Sequence, residues 1–180
     1  MSGELSGKTI AVLATDGVEQ VELDQPWQAL VDAGAEPRLI GLQAGTLTAY
    51  DHIDPGEEKA VDLAVADADP ASFDALVLPG GVINGDFVRA DASAVAFVKA
   101  FFDAGKPVAA ICHASWVLAE ADVVRGRRMT SWPSVRTDLR NAGAEWVDEE
   151  VVVDGTLVTS RNPDDLPAFG KAIVERFAAG

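Results

Sequence analysis

The sequence predicts an α/β sandwich built on a mostly parallel sheet. Three observations carry that expectation. Short β-branched runs alternate along the chain with segments whose apolar residues recur at helical spacing. A late Asp154-Gly155 pair between two apolar runs is a hairpin signal and adds one antiparallel edge. A chain of 180 residues with 48% hydrophobic and 24% charged residues has ordinary globular composition and enough length to bury a sizeable core.

The elements follow in order. Residues 9–14 read as a buried strand. Residues 21–33 carry Leu23, Trp27, Leu30 and Val31 at helical spacing and stop at Gly34. Residues 36–42 form a second strand, and 46–50 and 60–65 two short strands around an irregular acidic loop holding Pro55 and Gly56. Residues 75–78 are a strand that runs into Pro79-Gly80-Gly81 and a loop over 82–86. A helix over 92–104 ends at Gly105; a strand over 108–111 is followed by a helix starting near His113. Residues 134–142 read as helical up to Gly143, and 151–153 with 157–159 as the hairpin. Residues 164–178 close the chain as a helix, with Pro163 and two aspartates suited to its start. In open sheets of this kind sites lie at the carboxyl ends of the strands, so the turns after Ala14, Leu78 and Ile111 are expected to converge.

The bulk properties exclude several classes. A net charge of -15 offers no basic stripe for nucleic acid or anionic membrane. No stretch of 18 uncharged apolar residues predicts a membrane span, and residues 1–8 lack the pattern of a signal peptide. A single cysteine rules out an intrachain disulfide framework and multi-cysteine metal sites, and suits a reducing cytoplasm. Two histidines without ligand spacing make a weak case for metal, and no Gly-x-Gly-x-x-Gly or Walker A pattern suggests a nucleotide cofactor. The expectation is one domain over 1–180, cytoplasmic, with no cofactor and no metal.

Cys112 is the most informative residue. It follows the apolar run Val108-Ala109-Ala110-Ile111 and precedes His113 and a helix-like stretch, the layout of a nucleophile elbow. A thiol there faces a helix N-terminus, which favours the thiolate. The plain alternative is a small buried hydrophobe without chemistry. The first turn supplies carboxylates at Asp16, Glu19 and Glu22; a carboxyl pressed against a thiolate is expected to be protonated and to donate to the sulfur. The same acids at a helix start also simply offset its dipole. The glycines of Pro79-Gly80-Gly81 let backbone N–H groups approach a ligand as an oxyanion hole, or make only a tight turn. His113 is adjacent to Cys112, and neighbours at a turn usually point apart, so it acts on the sulfur only if the turn is sharp.

Together these residues resemble the ThiJ/PfpI family, relatives of the class I glutamine amidotransferases, over roughly 8–178. The resemblance is carried by Val18-Glu19-Gln20-Val21-Glu22-Leu23, Phe73-Asp74-Ala75-Leu76-Val77-Leu78-Pro79-Gly80-Gly81 and Gly105-Lys106-Pro107-Val108-Ala109-Ala110-Ile111-Cys112-His113. Thr130-Ser131-Trp132-Pro133, Ala142-Gly143-Ala144-Glu145-Trp146-Val147-Asp148 and Ser160-Arg161-Asn162-Pro163-Asp164-Asp165-Leu166 extend it. The nearest branch is that of the PfpI-like intracellular proteases and general stress proteins.

The resemblance implies a flavodoxin-like three-layer α/β/α sandwich with Cys112 as nucleophile on a strained elbow. It implies Glu19 as the carboxyl bonded to the thiol, His113 as the catalytic histidine, and the backbone of Gly81 and His113 as the oxyanion hole. Asp86 is the best match for an acidic residue that orients His113 from a neighbouring subunit, which makes assembly part of the site: a dimer at least, a hexamer in some relatives. Ala114-Ser115 stands where many relatives have Gly-Pro. The implied activity is a stress-response, cysteine-dependent hydrolase on peptide or small carbonyl substrates, of peptidase, glyoxalase or deglycase type. The alternative is a redox-responsive protein whose cysteine oxidises to sulfenic or sulfinic acid with little turnover. A chaperone-like role ranks last, because holding unfolded chains needs no elbow.

Overall fold

The computed structural model describes residues 3–180; Met1 and Ser2, where the segment read for a signal peptide begins, lie outside it. The strands and helices run β1 (Thr9–Leu13), α1 (Gln20–Asp32), β2 (Glu36–Gly41), β3 (Gly45–Asp51), β4 (Asp54–Val61), β5 (Leu63–Ala64), β6 (Ala75–Leu78), α2 (Val82–Ala90) and α3 (Ala92–Asp103). They continue with β7 (Val108–Ile111), α4 (Ser115–Glu120), β8 (Arg128–Met129), α5 (Arg136–Asn141), β9 (Glu145–Trp146), β10 (Val151–Asp154), β11 (Leu157–Ser160) and α6 (Leu166–Ala179). Seven strands form one sheet in the order β10-β11-β7-β6-β1-β2-β5. Every pairing in it is parallel except β10 with β11, the hairpin signalled by Asp154-Gly155.

The central strands β6, β7 and β11 are buried along their whole length, as strands covered on both faces must be. Their alternate residues point into two cores. Ala11, Leu13, Leu76, Leu78, Val108 and Ala110 pack under Phe97 and Phe101 of α3 and Leu118 of α4. Ile10, Val12, Ala75, Val77, Ala109 and Ile111 pack under Leu23 and Leu30 of α1 and Phe169, Ile173 and Phe177 of α6. The molecule is therefore a three-layer α/β/α sandwich, and Cys112 continues the second core at the open end of β7.

Two expectations change. Residues 82–86 are not a loop but the first half of α2. Asn84 and Gly85 are poor helix formers, and tertiary contacts override them: the buried Asn84 amide donates to the Pro79 and Gly80 carbonyls and accepts from Thr15 N–H. The stretch around Pro55 is not an irregular loop but strand, because β3 and β4 form a hairpin separate from the main sheet. The helix after Ile111 begins as one tight turn, Cys112–Ala114, before α4. The two-residue pair β8 and β9 had no signal in the sequence. Among the described residues no helix is long and apolar enough to cross a membrane.

Asn84 ties the turn after β1 to the turn after β6 by three hydrogen bonds of 2.8–3.1 Å. Replacing it by Ala strands buried donors and acceptors and is expected to cost about 3 kcal/mol. The check is urea unfolding, with a lower midpoint at unchanged m-value; an unchanged midpoint contradicts the tie.

Candidate active site

The turns after β1, β6 and β7 meet at the carboxyl edge of the sheet. Glu19 N–H donates to the Gly80 carbonyl at 3.1 Å, joining the first turn to the second. At Gly80 a side chain is excluded by close approach: a Cβ there meets Glu22 Oε2 at 2.1 Å and Cys112 Cβ at 2.6 Å. Gly81 has φ +98, a left-handed value that favours glycine, and its added Cβ meets the Gly17 carbonyl at 2.4 Å. Pro79-Gly80-Gly81 is thus shaped by crowding from both neighbouring turns.

Cys112 has φ +62, which is unusual for a residue with a side chain and costs on the order of 1–3 kcal/mol. The strain makes the turn sharp. It brings His113 Nδ1 to 3.1 Å from Cys112 Sγ, so the two neighbours do not point apart. The N–H groups of Gly81 and His113 both face the sulfur. The His113 ring lies between Trp116, edge-on at 5.1 Å, and Trp132, stacked at 5.7 Å. Trp116 is fixed in turn by donating Nε1–H to Asp138 and by Arg89 over its ring.

The carboxyl beside the thiol is Glu22, where the resemblance implied Glu19. Helix α1 starts at Gln20, so Glu19 sits outside it as the N-cap residue and turns away, accepting from the His52 backbone N–H at 3.1 Å. Glu22 shares the inner stripe of α1 with Leu23, Pro26 and Leu30. A carboxylate on a buried apolar stripe was the signal available in the sequence. Both Glu22 oxygens are buried without a well-aligned hydrogen-bond partner; the thiol and the Gly80 backbone are the polar groups that face them. Burial first, and the charge of Glu19 second, push the Glu22 carboxyl up to about 8.

Burial and then the charge of Glu22 push the Cys112 thiol up, against the two backbone N–H groups that favour the thiolate. The thiolate expected from a helix end alone is therefore not the resting form in this geometry. With Glu22 protonated its repulsion is gone, and its O–H is available to the sulfur. Burial holds His113 below its ordinary value, so its ring is neutral and able to accept a proton near pH 7.

The sulfur opens into a cavity of about 130 Å³. Its floor holds Cys112, Glu22 and His113; Ile53, Val82, Trp132 and Pro163 form an apolar rim; among the described residues no lysine or arginine lines it. Asp86 is exposed on α2, lies outside this cavity and, within the described residues of one chain, is not brought to His113. Donor atoms of Glu19, Asp51 and His52 lie within 4.8 Å of one another at the mouth, but Asp51 and His52 are exposed, and such clusters are common without an ion.

Fold and edge define an α/β protein with a strained cysteine-histidine turn. The chain belongs to the DJ-1/PfpI family, which it matches over residues 8–176. It is 44% identical over 174 residues to Protein/nucleic acid deglycase 2 of Escherichia coli, covering 96% of this chain and 99% of that one. It is 45% identical over 164 residues to YraA of Bacillus subtilis, whose name assigns it provisionally to the cysteine proteases, covering 91% and 95% of the two chains. Drosophila melanogaster DJ-1beta has the same fold, with a TM-score of 0.88 at 29% identity over 98% of this chain and 92% of that structure.

The raised Glu22 carboxyl makes stability depend on pH. The folded value of about 8 lies above the ordinary 4.5, so its contribution is fully present below about pH 4.5 and is lost as pH rises through 8. Glu22→Gln is neutral throughout. Its stability relative to the unsubstituted protein is expected to climb between pH 5 and 8, by up to about 1.4 kcal/mol per unit, and to level off above. Urea unfolding across that range checks it; parallel curves for the two proteins contradict it.

Proposed function

We propose that the protein is a cysteine-dependent enzyme that attacks small carbonyl compounds, with Cys112 as nucleophile and His113 as general base. The observation that carries this reading is the strained turn that sets His113 Nδ1 3.1 Å from Sγ. In the attack a bond forms between Sγ and the carbonyl carbon, the C=O π pair moves to oxygen, and the thiol proton passes to His113 Nδ1. The oxyanion accepts from the Gly81 and His113 N–H groups, which already face the sulfur. Protonated Glu22 holds the sulfur without adding a second negative charge. Glu19 does not face the sulfur; its charge acts there by helping to keep Glu22 protonated.

A cavity of about 130 Å³ is small against the roughly 300–1,000 Å³ of sites for drug-sized ligands. That supports an α-oxoaldehyde, or its adduct on an amine, over an extended peptide. The relative named a deglycase points the same way. We assign Asp86 to the site through assembly: exposed on α2, it orients His113 of a neighbouring copy in a homodimer or larger ring. A second reading, oxidation of Cys112 by peroxide to sulfenic or sulfinic acid with little turnover, is favoured by the buried Glu22 carboxyl beside the chain's sole thiol, placed to bond an oxidised sulfur.

Methylglyoxal consumption tests the first reading. Cys112→Ser is expected to reduce it to the uncatalysed rate, and His113→Ala to lower kcat by about 10²–10⁴-fold; undiminished turnover in His113→Ala removes the histidine from the role of base. Asp86→Ala is expected to lower kcat in particles whose sedimentation is unchanged. Full activity in the intact assembly removes Asp86 from the site.

A further inference from the structure

The hairpin of β3 and β4 stands apart from the main sheet, yet its tip forms part of the cavity rim. Leu47 and Ala49 anchor its base in the core beneath α1. From residue 51 to residue 58 every side chain is exposed, so apolar burial does not hold the tip. His52 adopts φ +57, the left-handed value of a tight hairpin turn. Ile53 is 78% exposed and still lines the cavity of Cys112.

Beyond its own ladder, which pairs Tyr50 with Pro55 and Asp51 with Asp54, the tip is tied to the start of α1. The Glu19 carboxylate accepts from His52 N–H, with its oxygens at 3.1 and 3.4 Å, and its Oε2 lies 3.9 Å from His52 Nδ1. Gln20 accepts from Glu57 N–H at 2.9 Å on the returning strand. Glu19 also pairs through its backbone with Tyr50, and the Tyr50 N–H donates to the Val18 carbonyl at 2.7 Å. Glu19 is itself 93% buried by this arrangement, being 7% exposed. Its side chain is hydrogen-bonded to His52, the turn residue next to Ile53.

We infer that Glu19 is a positioning residue for substrate size: its carboxylate latches the His52 turn so that Ile53 stands as a fixed lip over Cys112, narrowing the mouth to small reactants. The proposal deepens the carbonyl reading above, on which its enzymatic meaning rests, but the lip acts on any reagent that approaches the sulfur. A backbone N–H bonded to a carboxylate is among the stronger hydrogen bonds. Removing the acceptor frees the tip, and the mouth widens. An amide oxygen at the same place still accepts, so Gln keeps the latch where Ala loses it.

The test compares the unsubstituted protein with Glu19→Ala, Glu19→Gln and Ile53→Ala in three measurements. Hydrogen exchange at the His52 amide is expected to speed by about tenfold or more in Glu19→Ala and by much less in Glu19→Gln. The rate of Cys112 alkylation by N-benzylmaleimide relative to iodoacetamide is expected to rise several-fold in Glu19→Ala and Ile53→Ala and to stay near its original value in Glu19→Gln. The preference for methylglyoxal over phenylglyoxal, as a ratio of kcat/KM, is expected to fall in the same two variants. An unchanged alkylation ratio in Ile53→Ala overturns the lip, even if Glu19→Ala does not fold. A Glu19→Gln protein that behaves as Glu19→Ala, or unaltered His52 exchange in Glu19→Ala, overturns the latch. Altered alkylation with no aldehyde turnover in any protein leaves the latch standing and removes the carbonyl reaction instead.

Discussion

Cys112 occupies a backbone conformation that side chains avoid, at the end of a fully buried strand, and that constraint organises everything around it. The sharp turn sends β7 into α4 while folding the His113 ring back onto its neighbour's sulfur. Two glycines are forced on the adjacent turn, one by crowding from Glu22 and Cys112 and one by its own left-handed φ. The sheet supplies the leverage: β6 and β7 are covered on both faces, so a few kcal/mol of strain at their ends is tolerated.

The same burial fixes the electrostatics. A thiol and a carboxyl brought together out of water cannot both be charged without large cost. Burial raises both groups, Glu19 raises the carboxyl further, and the Gly81 and His113 N–H groups pull the other way at the sulfur. The arrangement of lowest cost near neutrality leaves Glu22 protonated and the thiol proton between Cys112 and a neutral His113. The acids of α1's first turn thereby divide their labour: Glu22 faces the sulfur from inside, and Glu19 faces the hairpin from the edge.

Much of this was legible in the sequence because it rests on local patterns. Alternation of β-branched runs with helical spacing gave the layers, Asp154-Gly155 the antiparallel edge, and the run Val108 to Ile111 ending in Cys-His the elbow. The convergence of three turns followed from the rule for open sheets: the hydrogen bonds of Asn84 and Glu19 join the first two, and the close approach of Gly80 to Ile111 and Cys112 brings in the third. What escaped depends on non-local contacts. Helix α2 forms on poor helix formers because Asn84 is satisfied from two other turns. The strand β4 is almost wholly exposed and has no periodic signature. Glu22 lies one turn from Glu19, and only the true start of α1 at Gln20 separates their directions.

The central claim is that the carboxyl against Cys112 keeps its proton through neutral pH. Carboxyl-selective ¹³C NMR of the protein labelled at glutamate, titrated from pH 4 to 10 with Glu22→Gln to assign the signal, measures this directly. The account predicts one glutamate carboxyl that titrates near 8 and vanishes in Glu22→Gln. A Glu22 signal that completes its titration in the ordinary carboxylate range would contradict it. The sulfur would then face a permanent negative charge, and the division of roles at this site would have to be redrawn.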